Sequence, residues 1–272
     1  MCRSSIIFLL ETETKAALLM ITCILFSGVT CDSTVSSATY GRVLSIVLSS
    51  VALSGTLPLS IGNFEAMTAM SFYRTKISGT IPSTIGLAES LQVLHLIDNS
   101  FNGSIPTSLG QLLSLTDLNL NANRLVGSIP SALVALTKLS ILEMGGNSFT
   151  GSIPSAVGNL ASLTQLVLYD CFLSGTIPST MSALKSLVYL DLENNHLTMG
   201  TSSSVPNSTF SATTLSGTLT LDRNCLAFST KSPLRSVTAT HCSPTSKYQV
   251  SNDLTVYCYR RLYKIDDSIS KC

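Results

Sequence analysis

No tryptophan occurs among the 272 residues, aromatic side chains make up 6% of the chain and charged ones only 11%. Histidine appears three times and the formal net charge is +1. A balance this sparse leaves no basic footprint for nucleic acid and no polybasic patch for an anionic membrane surface. An apolar run of the roughly 18–20 residues that a membrane span requires is also missing, because Glu11, Glu13 and Lys15 split the hydrophobic N-terminus into two short runs. There is no Cys-x-x-Cys pair, and His241-Cys242 has no second pair at ligand spacing, so no metal site is expected. Gly-x-Gly-x-x-Gly, Gly-x-x-x-x-Gly-Lys, Gly-x-Ser-x-Gly and a kinase catalytic loop are absent too. His95, His196 and His241 fall in different parts of the chain, none with a local orienting partner. The expectation is a protein that is not an enzyme and carries no cofactor.

What the chain does have is regularity. Residues 101–124 read Phe-Asn-Gly-Ser-Ile-Pro-Thr-Ser-Leu-Gly-Gln-Leu-Leu-Ser-Leu-Thr-Asp-Leu-Asn-Leu-Asn-Ala-Asn-Arg, and six such blocks of 24 run from Leu53 to His196 without insertion or deletion. A fixed period of this length marks a solenoid, in which each unit buries its apolar side only by stacking on its neighbours. Leu118 and Leu120 alternate with polar neighbours, which predicts a short strand with one buried face. Asn123 follows, with Asn99, Asn147 and Asn195 in the same slot, where an amide can satisfy the backbone of a buried turn. Cys171 takes that slot in its block and is read as a buried structural thiol. The Gly103, Gly127, Gly151 and Gly175 series points to a turn that a side chain would forbid. Ile105-Pro106 and its equivalents force extended backbone, and Leu109, Leu112 and Leu115 predict a helical turn that returns the chain to the next strand.

The pattern Leu-x-x-Leu-x-Leu-x-x-Asn-x-Leu-x-Gly-x-Ile-Pro resembles the plant-type leucine-rich repeat, from about Val43 to Asn224. The resemblance implies an α/β solenoid, a right-handed curved superhelix with its parallel β-sheet on the concave face and disulfide-closed caps. Residues 1–42 would be a signal-like segment or a shortened N-terminal cap, 43–226 a solenoid of about eight coils, 227–242 a C-terminal cap and 243–272 an aperiodic tail. Cys23 to Cys31 is similar to the family's N-terminal cysteine signature, with Phe26 in the tryptophan slot. Pairings of Cys23 with Cys31, Cys225 with Cys242 and Cys258 with Cys272 are expected, as suits an oxidising compartment. Asn102-Gly-Ser and Asn207-Ser-Thr are candidate glycosylation sequons. Localisation is expected to be extracellular or at the cell surface.

Function is expected on the concave sheet, where the outward strand positions are free of the fold's demands. The candidate ligand-binding residues are Tyr73, Arg74, His95, Asn119, Asn121, Glu143, Tyr169, Asp170, Asp191 and Glu193. Tyr73 and Tyr169 are the expected anchors, since exposed aromatics are enriched in binding hot spots. By resemblance, the module would recognise a protein, peptide or glycan, as a receptor-like ectodomain or a secreted inhibitor of wall-degrading enzymes does, with a membrane co-receptor as a further partner. The alternative is a structural or adhesive wall protein that needs no specific concave contact.

Overall fold

A computed structural model describes residues 28–32, 42–51, 53–198, 218–220, 224, 247–251 and 254–257. The chain winds into a right-handed leucine-rich solenoid whose concave side is one sheet of 11 strands. Strands Val43–Ser49, Ala69–Tyr73, Val93–His95, Asp117–Asn119, Ile141–Glu143, Gln165–Val167, Tyr189–Asp191, Thr218–Thr220 and Leu254–Tyr257 run parallel in that order. From Leu94 to Leu190 the register advances by one period per strand, Leu94 opposite Leu118, then Leu142, Leu166 and Leu190. At either edge the direction reverses: Val29–Cys31 pairs antiparallel with Val43–Ser49, and Lys247–Ser251 with Leu254–Tyr257. The last two strands fall inside the segment read from the sequence as an aperiodic tail.

Inward side chains of successive coils form one continuous core. In the coil that begins with Leu109, Leu112, Leu115, Leu118, Leu120 and Leu125 are all fully buried. Each such leucine contributes roughly 1.5–3 kcal/mol of transfer free energy. The return limbs are one-turn 3₁₀ helices, such as Thr107–Gln111, each entered from a proline in extended backbone (Pro106 φ −68°, ψ 135°). No α-helix occurs among the described residues. With about 24 residues per coil, a limb this short leaves no room for a longer helix, so the expected helical turn is realised in the tighter form.

The sequence reading did not anticipate a second sheet. Parallel strands Gly55–Thr56, Ile77–Thr80, Ser100–Gly103, Arg124–Gly127 and Ser148–Phe149 form it, and Ser174–Thr176 with His196–Thr198 make a separate pair. Its glycines sit at positive φ, Gly79 at 79° and Gly103 at 72°, and a Cβ on Gly79 would come within 2.6 Å of Thr56 Cγ2. Close approach of the coil before it therefore requires glycine there.

The asparagine slots do what an amide in a buried turn can do. Asn147 Oδ1 accepts from Leu125 N at 3.0 Å, while its Nδ2 donates to Leu120 O and Met144 O at 3.0 Å and to Gly145 O at 3.3 Å. Asn99, Asn123, Asn195 and Asn224 repeat the arrangement in their own coils. Thr75, fully buried, joins the ladder by donating its hydroxyl to Asn99 Oδ1 at 2.9 Å. Cys171 is a free, buried thiol in its slot, as expected, and burial pushes its pKa up to about 11. Cys31 is disulfide-bonded; Cys23, Cys225, Cys242, Cys258, Cys272 and Asn207 lie outside the described residues.

Candidate functional site

Each coil turns to the concave side the residues that flank its two inward leucines. Around Leu118 and Leu120 these are Asp117, Asn119 and Asn121, all part-exposed. The next position is left-handed in every regular coil: Arg74, Asp98, Ala122, Asp170 and Asn194 have φ between 48° and 55°, and Gly146 has 65°. Asn and Asp tolerate this conformation because their short polar side chains bond locally. Here they pair across coils, Asn194 Nδ2 donating to Asp170 Oδ1 at 2.7 Å and Arg74 Nε to Asp98 Oδ2 at 2.6 Å. The Arg74 guanidinium also stacks over the Tyr73 ring, 4.9 Å from its centroid.

Glu143 is the hub of the central coils. Its Oε2 accepts from Asn119 Nδ2 at 2.5 Å and from Asn121 Nδ2 at 2.7 Å, and its Oε1 accepts from Gln165 Nε2. Burial raises its pKa above the usual carboxylate value, and the Asn119 hydrogen bond opposes the rise. On the N-terminal side His95 Nε2 lies 3.0 Å from Asp117 Oδ2, a distance for an ion pair when the ring is protonated, but without the alignment of a hydrogen bond.

Two tyrosines close the C-terminal side. Tyr169 lies flat against the sheet at Gly145, where a Cβ would come within 2.5 Å of its Cδ1. The missing side chain in one coil is thus the seat of the ring from the next. Tyr189 stands two residues before Asp191 on the same strand, and Asp191 Oδ1 accepts from Glu193 N at 3.0 Å. Burial raises the pKa of Tyr169, Tyr189 and Asp191 alike. Chemically this is a surface of donors, acceptors and ring faces; among the described residues no group of His, Cys, Asp and Glu is placed to hold a metal ion.

The leucine-rich repeat profile matches five consecutive times, at residues 90–112, 114–136, 138–160, 162–184 and 186–208. The ectodomain of the plant membrane receptor kinase GASSHO1/SCHENGEN3 from Arabidopsis thaliana, in complex with CASPARIAN STRIP INTEGRITY FACTOR 2, superposes with a TM-score of 0.63 at 33% identity, over 66% of this chain and 21% of that one. The chain is a plant-type leucine-rich repeat protein. The Arabidopsis receptor kinase HAESA, in complex with the peptide hormone IDA and the co-receptor SERK1, matches at 29% identity and a TM-score of 0.55, over 68% of this chain and 34% of that one. A plant ice-binding protein matches at 25% identity and a TM-score of 0.55, over 80% of this chain and 90% of that one. This leucine-rich repeat protein therefore spans about a fifth to a third of the length of these two receptor chains. No curated protein sequence matches it.

On this leucine-rich repeat protein, the ten expected concave residues all lie on the coils between Tyr73 and Glu193, but they divide into groups. Asn119, Asn121 and Glu143 bond one another; Asp170 is held by Asn194 and Asp191 by the Glu193 backbone N–H. Asp117, Gln165 and Tyr189 share the face and were not anticipated. They precede the first inward leucine of their strands, and alternation applied one residue earlier would have placed them. Asn102, the described sequon, is exposed on the second sheet, away from the concave strands.

Proposed function

We propose that this chain is a non-catalytic recognition module that takes an extended peptide across its concave sheet. The observation that carries the reading is the open face from Tyr73 to Glu193, on which pairs and ring contacts hold polar side chains in place before any ligand arrives. Six strands at roughly 4.7–4.9 Å spacing give a track of about 24 Å, the length of about seven extended residues. Fixed side chains lose little entropy on binding, which favours affinity. The receptors this chain resembles support the reading, since two are described in complex with a factor or a peptide hormone. The setting proposed with it is extracellular, at the cell surface, with a membrane co-receptor as a further partner.

The test is to pan a library of linear peptides against the purified chain and compare it with a Tyr73→Ala, Tyr169→Ala, Asp191→Asn triple variant. Lost capture with a cooperative melting transition retained supports recognition at this face. Capture that survives the triple variant removes the concave sheet as the site and leaves the structural or adhesive role.

A second reading is favoured by the flank. Thr56, Thr80, Ser104, Ser128, Ser152 and Thr176 stand one coil apart beside the glycines of the second sheet, every one exposed. An uncharged, evenly spaced hydroxyl row suits ordered water, and the ice-binding neighbour covers most of both chains. Inhibition of ice recrystallisation that disappears in Thr80→Lys, Ser128→Lys would establish it; no inhibition by the unaltered chain would dismiss it.

A further inference from the structure

Resting on the peptide-recognition reading, we infer that the concave face selects a segment bearing a lysine or arginine, whose cation sits on the outer face of the Tyr169 ring beside Asp170. One face of that ring is taken up by the sheet at Gly145, so the other is turned toward whatever occupies the concave side. The ring is half-buried and seated, which makes it an anchor already in its bound orientation. The residues at the left-handed turn positions of the two coils before it are Gly146 and Ala122, both small, and a Cβ placed on Gly146 would reach no atom of Ala122 closer than 3.4 Å. A ligand backbone can approach the sheet closely at such a glycine.

Charge chooses the occupant. Outward positions from Asp117 to Asn194 carry Asp117, Glu143, Asp170, Asp191 and Glu193 and neither lysine nor arginine, although the whole chain has a formal charge of +1. The negative character of this face is therefore a matter of placement and not of composition. Asp170 and Asp191 are held by neutral donors, a side-chain amide in one case and a backbone N–H in the other. Such partners orient a carboxylate without cancelling its charge. An acidic segment would meet repulsion on the coils from Asp117 to Asn194, and an uncharged one would leave the carboxylates desolvated without compensation. A cation over a tyrosine face gains from the ring quadrupole as well as from the nearby carboxylates. The hydroxyl rows of the second sheet, uncharged throughout, offer no comparable selection.

The experiment is a positional-scanning library of end-blocked linear peptides, read by affinity to the purified chain. The expected result is enrichment of Lys or Arg at one position, with about ten-fold weaker binding when that residue becomes norleucine. Asp170→Lys, a change at an exposed position, should then turn the preference toward Glu or Asp, and added salt should weaken binding of the basic peptide. Tyr169→Phe should retain the preference and Tyr169→Ala should lose it. Peptides captured with no preference for a basic residue, or a preference unmoved by Asp170→Lys, overturn the inference while leaving peptide recognition intact. Failure to capture any peptide overturns both.

Discussion

Cys171→Asn should stabilise the protein, and the neighbouring coils supply the magnitude. The cysteine sulfur makes two weak contacts, with Met144 O at 3.7 Å and Tyr169 O at 3.4 Å, and the Phe149 N–H faces it. In the equivalent slot Asn195 accepts from Leu173 N at 3.0 Å and donates to Leu168 O, Leu192 O and Glu193 O at 2.8 to 3.2 Å. Carried back one coil, those partners become Phe149 N, Met144 O, Leu168 O and Tyr169 O, all already in place around Cys171. A thiol is a weak donor and a weak acceptor, whereas each amide hydrogen bond nets roughly 0.5–1.5 kcal/mol. Desolvation of the larger polar group offsets part of the gain, so the expected stabilisation is about 1–2 kcal/mol. At about 2–4 °C per kcal/mol for a chain of this size, the melting temperature should rise by a few degrees. Urea unfolding should show the same gain as a higher midpoint at unchanged slope. Cys171→Ser, which lacks the second polar arm, should not reproduce it. A midpoint that falls in Cys171→Asn, or rises equally in Cys171→Ser, would refute the argument that the slot is built for an amide.

Leu118→Ala, in a fully buried position at the centre of the stack, should cost about 2–5 kcal/mol, measured by chemical denaturation; a cost below 1 would show that the coils do not share a core. Asp191→Asn should change the pH dependence of stability. Burial raises the Asp191 pKa, so the native state favours the protonated acid, and that contribution is lost as pH rises through the raised value. The stability of the variant relative to the unaltered protein should therefore increase from acid toward neutral pH, whatever the constant offset from altered hydrogen bonds. Parallel melts across that range would reveal a flat or opposite trend if the carboxylate were not desolvated.

Much of this architecture can be read directly from residue spacing, because a 24-residue period makes each coil testify for the others. Leu118 and Leu120 disclose the concave strand and Asn123 the turn, since burial admits few alternatives at those slots. The second sheet was not legible: its strands, such as Ser148–Phe149, are too short for alternation to register, and they exist only because glycines let adjacent coils approach. Strand Leu254–Tyr257 was missed for the opposite reason, as it joins the sheet without repeating the period. On the candidate face, residue identities were visible but their mutual use was not. That Tyr169 rests on Gly145, or that Glu143 gathers three amides, depends on contacts between residues 22 or 24 positions apart in sequence. Alternation gives the direction of a side chain, not the neighbour it meets.

The reversed strands at the two margins of the concave sheet have a consequence for how such a molecule can change length. A coil of the same sense set against either margin would pair antiparallel with the edge strand, so end-on addition meets a change of pairing pattern at that border. The interior has no such barrier, because every junction from Leu94 to Leu190 is the same parallel step. Duplicating residues 101–124 in place should lengthen the inner curve by a single rung while both borders stay as they are, a route by which the reach of the surface could be tuned in whole increments.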